Sequence, residues 1–154
     1  QVLLNEKFPW YLNPIVDEND YSESSMYQNI QFTHVLYFKD KIVSEWFQHF
    51  APILDRLDIF SLLRIKINYL SPTTERIIHD FHIDITDSNA PKNIKTAIFY
   101  LNTNNGVTVF EDTKEEVESV KNRMIIFPMH LRHTGTTHTE QNLPYRIVIN
   151  FNYF

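Results

Sequence analysis

Between Leu62 and Leu70 the chain alternates: Arg64, Lys66 and Asn68 interleave with Ile65, Ile67 and Tyr69. A period of two puts each set on its own face of a strand and predicts one buried face. Upstream, 32–38 is a strand candidate. Phe47, Phe50, Leu54 and Leu57 then fall at helical spacing, predicting a helix from about 40 or 44 to 57 that Pro52 should kink or split. Downstream, 77–85 predicts a second strand with Ile78, Asp80, His82 and Asp84 on one face and His79, Phe81 and Ile83 on the other. Residues 94–101 read as a third, joined by Asn105-Gly106 to a partner at 107–110, because Asn-Gly between apolar strands accepts the positive φ of a hairpin turn. The acidic stretch 111–118 predicts a solvated loop or hairpin, and 117–120 and 123–127 further strands stopped by Pro128. A loop over 129–144 holds three histidines, and 145–154 closes the chain with strict alternation. Residues 1–31 are irregular and rich in aromatics (Phe8, Trp10, Tyr11, Tyr21, Tyr27), either an aromatic-anchored wrap over the core or a lid beside a pocket. Many short strands after an N-terminal helical segment, with no βαβ rhythm and no internal repeat, predict an antiparallel double-sheet jelly roll.

At 154 residues and 43% hydrophobic, the chain is expected to form one domain, 1–154, with its own core. A formal charge of −5 argues against sequence-independent nucleic-acid binding. The absence of cysteine excludes disulfides, thiolate metal sites and cysteine nucleophiles, and fits a reducing compartment. No run reaches the length of a membrane span, so the expected location is cytoplasmic. The sequence opens at Gln1 rather than a methionine, which leaves an upstream leader open.

Only two glycines occur, Gly106 and Gly135. A chain so poor in glycine is expected to keep it where the backbone needs positive φ or a ligand must approach closely. Around them lies the densest chemistry: His82-Ile-Asp84, His133-Thr-Gly135 and Arg146. His82 and Asp84 share a strand face and can reach one ion, which His79 cannot easily join. Alone, His-x-Asp is equally a hydrogen-bonded pair on a strand. A carboxylate beside a histidine on a mainly apolar strand needs a partner, however, and a cation satisfies both. His130, His133 and His138 compete as third ligand. His133 is favoured because Thr134, Gly135, Thr136 and Thr137 leave room for a substrate; the other two read as surface or supporting residues. Two imidazoles and one carboxylate leave open positions on a divalent iron, the arrangement of non-haem Fe(II) oxygenases. Arg146 shares a face with Val148 and Asn150. It is either an edge arginine paired with an acid or a planar fork for a ligand carboxylate.

Over about half its length, 77–154, the chain resembles the Fe(II)- and 2-oxoglutarate-dependent dioxygenases, in particular the prolyl-4-hydroxylase-like group. The resemblance rests on His82-Ile-Asp84, Thr96-Ala-Ile-Phe-Tyr-Leu-Asn102, Gly106-Val-Thr-Val-Phe110, Asn122-Arg-Met-Ile-Ile-Phe-Pro128, His133-Thr-Gly135 and Arg146-Ile-Val-Ile-Asn150. Each piece is short; their order and spacing together make the match specific. Phe8-Pro-Trp10 and the Arg64–Asn68 strand are similar to small versions found in bacterial viruses. The resemblance implies a double-stranded β-helix in which His82, Asp84 and His133 hold iron and act as the catalytic set. It implies that Arg146 binds the distal carboxylate of 2-oxoglutarate, and that Tyr100 helps hold that cosubstrate or is simply a core aromatic. The implied cofactors are Fe(II), 2-oxoglutarate and O2, with ascorbate as a reductant. The implied reaction couples substrate oxidation, by default hydroxylation, to decarboxylation of 2-oxoglutarate to succinate and CO2. The chain departs from the family at Asn105, where two glycines often precede the Thr-x-Phe element, and at Val148, where many members have serine. The expected substrate is a small molecule or a peptidyl group, acted on by a monomer or homodimer without membrane or direct nucleic-acid contact. Two other readings stay open: a cupin-like metal jelly roll with non-oxidative chemistry, and a binding or structural jelly roll braced by its metal. Neither gives Arg146 a role.

Overall fold

The computed structural model describes residues 2–13, 30–85 and 93–154. Strands β1 (Tyr11–Asn13), β2 (Gln31–Phe38), β3 (Lys41–Ile42) and β4 (Leu62–Leu70) make up the first half. The second half contributes β5 (Lys95–Tyr100), β6 (Val107–Phe110), β7 (Glu116–Glu118), β8 (Met124–Pro128), β9 (His133–Gly135) and β10 (Arg146–Tyr153). Seven form one antiparallel sheet in the order β1-β2-β4-β10-β5-β8, with β3 on β2, and three form a second sheet, β7-β6-β9. Two antiparallel sheets facing each other make the fold a jelly roll, as the strand pattern predicts.

Both faces of the large sheet are covered. On one, Ile65, Ile67, Ala97, Ile147, Ile149 and Phe151 pack with Leu3, Phe8 and Phe50. On the other, Ile98, Tyr100, Phe127 and Val148 meet Phe110 and Val117 from the small sheet. β10, flanked by β4 and β5, is therefore buried along its whole length although its sequence alternates. Its alternation separates two interiors, not an interior from solvent.

The expected helix is split as Pro52 requires. A 3₁₀ segment, Glu45–Phe50, starts at Ser44, whose hydroxyl accepts from the Trp46 N–H at 3.2 Å. It passes into a single α-helical turn, α1 (Ala51–Leu54), with proline in the first turn, where its missing N–H costs nothing. Phe50 is buried and Trp46, Phe47, Ile53 and Leu54 pack on the outer core, so the helical segment seals that face. At the N-terminus, Phe8 is buried and Trp10 partly so, while His34 of β2 bonds the Pro9 carbonyl at 2.7 Å. This agrees with an aromatic-anchored wrap; Tyr21 and Tyr27 lie outside the described residues.

Two expectations need correction. The Asn105-Gly106 hairpin is not formed: β5 pairs with β10 and β8, β6 with β7 and β9, and 101–106 crosses between sheets. Neither glycine has positive φ. Asn102 holds this crossing, donating to the Tyr145 carbonyl at 2.9 Å and accepting from the Ile147 N–H at 3.0 Å. Local turn chemistry thus yields to the burial available to β5 beside β10. Nor is 77–85 a continuous strand; it touches the small sheet through two isolated bridges, Ile78 with Thr136 and His82 with His133. The acidic segment does turn back as a hairpin, β6 with β7.

Candidate metal centre

The His82–His133 bridge builds the site. Each backbone N–H donates to the other's carbonyl at 3.0 Å. Directly opposed residues of an antiparallel pair send their side chains to the same side, and the two rings sit 5.0 Å apart. Asp84, two residues on, reaches the same point: ligand atoms of His82, Asp84 and His133 all lie within 4.8 Å of one another. Among the described residues this is the one such His/Asp/Glu cluster.

The donor set suits a divalent cation. Nδ1 of His82 lies 3.1 Å from the Asp80 carbonyl, and Nδ1 of His133 lies 3.1 Å from the Leu131 carbonyl. A carbonyl only accepts, so each Nδ1 carries the proton and each Nε2 keeps its lone pair for a metal. Phe127 packs edge-on against the His133 ring at 4.8 Å, and burial lowers the His133 pKa despite the Asp84 charge and its carbonyl bond. Asp84 is gripped at both oxygens. Arg64 donates to Oδ1 at 2.7 Å, while Asn152 and Thr96 donate to Oδ2 at 2.9 and 3.2 Å. Burial pushes its pKa up, but Arg64, His133, the Asn152 bond and His82 together hold it below the ordinary value. Asp84 is thus paired by Arg64, and its ionised carboxylate together with two Nε2 lone pairs forms a donor set that a divalent cation can fill.

A second group lies further into the roll. Arg146 is 3% exposed, donates from Nε to Ser119 Oγ at 3.0 Å and from Nη2 to the Val107 carbonyl at 3.3 Å. No carboxylate among the described residues pairs with it. Burial pulls its pKa down to about 10, with Tyr100 opposing. Both glycines serve this side chain. A Cβ on Gly106 would stand 2.8 Å from Arg146 Cδ, and one on Gly135 would stand 3.4 Å from Nη1. The guanidinium thus lies over the residue two places beyond His133 on β9, about 7 Å further along the strand. Tyr100 is fully buried, its ring 5.9 Å from the guanidinium carbon, and its hydroxyl donates to Thr108 Oγ1 at 2.7 Å, bridging the two sheets.

No protein-family description matches the sequence, and no curated protein matches it either. Solved structures do share the fold. An oxidoreductase of the 2OG-Fe(II) oxygenase family from Burkholderia pseudomallei superposes with a TM-score of 0.58 at 13% identity, over 80% of this chain and 66% of that one. A prolyl-4-hydroxylase from Pseudomonas putida gives 0.49 at 11% identity, over 81% and 72%, and a cupin domain from Bordetella pertussis 0.43 at 5%, over 61% and 83%. The Burkholderia likeness carries the fold. The present chain spans just under two thirds of that protein's length.

Of the five sequence-predicted residues, His82, Asp84 and His133 form one cluster with His82 at its exposed edge, and Arg146 and Tyr100 lie together in the buried interior. His130 is exposed, as expected of a surface residue. His138 is not at the surface; it is completely buried with no partner for either ring nitrogen among the described residues. His79 stays out of the cluster, and burial, with Arg146 and His82 adding to it and Asp80 opposing, lowers its pKa to about 4. Sequence reasoning missed Arg64, Thr96 and Asn152, which hold Asp84, and Ser119, which orients Arg146. The signal for Arg64 was present in the polar face of β4, which lines the inside of the roll.

Proposed function

We propose that this protein is an Fe(II)- and 2-oxoglutarate-dependent oxygenase, a hydroxylase of the prolyl-4-hydroxylase-like kind acting on a small molecule or a peptidyl group. One observation carries the reading: Arg146, a buried guanidinium with no carboxylate among the described residues, beside a His/Asp/His cluster. A buried charge needs a partner, and a planar fork of N–H donors fits a carboxylate bidentately. A jelly roll that only bound metal would leave this cation without a task.

His82, Asp84 and His133 would hold the iron, and Arg146 the distal carboxylate of the oxo acid. When bound, iron and 2-oxoglutarate supply the activation of O2, with succinate and CO2 as products. The chain's own contribution is positional. The Asp80 and Leu131 carbonyls fix the tautomers that present both Nε2 atoms. Arg64, Asn152 and Thr96 keep the Asp84 carboxylate ionised and oriented. Phe110 and Phe127 exclude water on the His133 side. His82 is exposed while Asp84 and His133 are not, so a substrate would reach the metal past His82. Asp84 as a third protein ligand disfavours halogenation, which needs that coordination position for halide.

The test is an anaerobic titration with Fe(II) and then 2-oxoglutarate, followed by admission of O2 with succinate detection. A weak visible charge-transfer band and oxo-acid-dependent O2 uptake are expected. Tight metal binding without any 2-oxoglutarate binding would overturn the proposal.

A further inference from the structure

One transverse row of the large sheet lies under the metal cluster. Arg64 on β4, Asn152 on β10 and Thr96 on β5 are register partners in turn, so their side chains stand together on one face. All three donate to Asp84: Arg64 Nη2 to Oδ1 at 2.7 Å, Asn152 Nδ2 to Oδ2 at 2.9 Å, and Thr96 Oγ1 to Oδ2 at 3.2 Å. Arg64 Nε also donates to Asn152 Oδ1 at 2.9 Å and Asn152 Nδ2 to Thr96 Oγ1 at 3.0 Å, which ties the row to itself.

Arg64 differs from the other two in carrying a charge. Its ion pair with Asp84 is the one this carboxylate makes among the described residues, and the two side chains are only 19% and 4% exposed. The imidazoles of the cluster, protonated at Nδ1 and free at Nε2, are neutral. Cluster and guanidinium together therefore hold one negative and one positive charge, and the carboxylate is already balanced. Lone-pair geometry sharpens the conflict. An ionised carboxylate offers roughly four acceptor positions. Oδ2 accepts from two donors and Oδ1 from one, so the position left for a metal is on the oxygen that Arg64 holds. Guanidinium and metal would draw on the same oxygen and repel each other across it.

We propose that Arg64 is a built-in competitor of the metal: it fixes Asp84 but holds the charge a metal needs, so that metal binding is weaker and more readily reversed than the donor set alone would give. This rests on the metal-centre part of the reading above and is independent of 2-oxoglutarate. The magnitudes set the sign. Removing one partner of a buried ion pair leaves the other charge uncompensated, at a cost that converts to roughly 100- to 3,000-fold in an equilibrium constant. A divalent ion entering Arg64→Met recovers much of it. Against this stands one lost orienting bond, typically worth about 10- to 100-fold in metal affinity, while Asn152 and Thr96 still orient Asp84. The charge effect is the larger, so removing Arg64 should tighten the metal and not loosen it.

The experiment titrates Mn(II) into wild type, Arg64→Met, Arg64→Gln, Arg64→Lys and Thr96→Val, reading affinity by calorimetry, release rate by a chelator chase, and thermal unfolding with and without the ion. Arg64→Met and Arg64→Gln should bind Mn(II) on the order of tenfold tighter, release it more slowly, and show a larger Mn(II)-dependent rise in Tm than wild type. Arg64→Lys keeps the charge and should stay close to wild type. Thr96→Val removes a neutral orienting donor and should bind about 10- to 100-fold more weakly. Should the two neutral variants fold only when Mn(II) is supplied, the ion is replacing the missing charge and the proposal stands. Weaker or unchanged binding in Arg64→Met and Arg64→Gln overturns it, because Arg64 would then act only by orienting Asp84. Misfolding of both that Mn(II) does not relieve overturns it equally. A wild type that binds no divalent ion would instead remove the metal centre itself, and so is told apart from failure of the competition alone.

Discussion

Replacing Arg146 by alanine separates the anion site from the metal site. The side chain is 3% exposed and oriented by Ser119 Oγ at 3.0 Å, so a carboxylate arriving there is paired in a desolvated pocket. Truncating one partner of a buried, hydrogen-bonded charge pair costs about 2–5 kcal/mol. At about 1.4 kcal/mol per decade this is a roughly 30- to 3,000-fold loss of 2-oxoglutarate affinity. Arg146→Lys should recover only part, since a point charge replaces a planar fork. Metal affinity should hold, because Arg146 is not among the clustered donors. Stability should respond differently from affinity. Without ligand, the substitution breaks no ion pair among the described residues, only the bonds to Ser119 and Val107. With ligand at about 100 times its Kd, wild type should gain about 2.7 kcal/mol in unfolding free energy, and the variant little at the same concentration. The assay is calorimetric titration of 2-oxoglutarate into Mn(II)-loaded protein, paired with thermal unfolding with and without the oxo acid. Wild-type affinity in Arg146→Ala would refute the argument, because the buried guanidinium would then have no part in holding the anion.

The other expectations concern the metal ligands and the glycines. His133→Ala should abolish the visible band that Fe(II) and 2-oxoglutarate give without oxygen, while His130→Ala and His138→Ala should largely retain it; loss of the band in His130→Ala alone would mean a different third ligand. Asp84 is held below its ordinary pKa, so in metal-free protein its contribution to stability is present above the unfolded value and lost as pH falls through the lowered folded one. Arg64→Met, which removes the strongest influence holding that pKa down, should flatten this acid slope in urea unfolding curves taken between about pH 6 and 2. Gly106→Ala puts a methyl 2.8 Å from Arg146 Cδ and 2.9 Å from Asn104 Oδ1, and overpacking of this kind costs about 1–3 kcal/mol. It should weaken 2-oxoglutarate in the same titration more than Gly135→Ala, whose closest approach is 3.4 Å, with metal binding unchanged in both.

The sequence was most legible where period and burial agree. Ile65 and Ile67 alternate with polar neighbours and are wholly buried, and Pro52 divides the helix where its ring demands. His82 and Asp84 were readable as a pair because parity survives in 77–85 even though the segment holds only two bridges. What could not be read is partner choice. Asn105-Gly106 carries strong hairpin chemistry, yet β5 gains more by lying beside β10, and no local signal encodes a strand more than forty residues away. Alternation marked the polar face of β4 but could not say that this face turns toward Asp84, so the role of Arg64 was not readable from it. Gly106 and Gly135 were expected where φ is positive or a ligand comes close; neither angle is positive, and what packs against both is the Arg146 side chain.

The central position of β10 sets the order in which this molecule can be assembled. β4 and β5 do not pair with each other; each waits for 146–153, which leave the ribosome after both. Until then each presents a hydrogen-bonding edge flanked by Ile65, Ile67, Ala97 and Ile98, the kind of surface on which nascent chains stick to one another. Among the described residues the strand pairings of the large sheet join segments far apart in sequence, which slows closure further. The same late strand carries Arg146 and Asn152, so insertion of β10 would complete the barrel and the anion site in one event, and a nascent chain halted short of it would have neither.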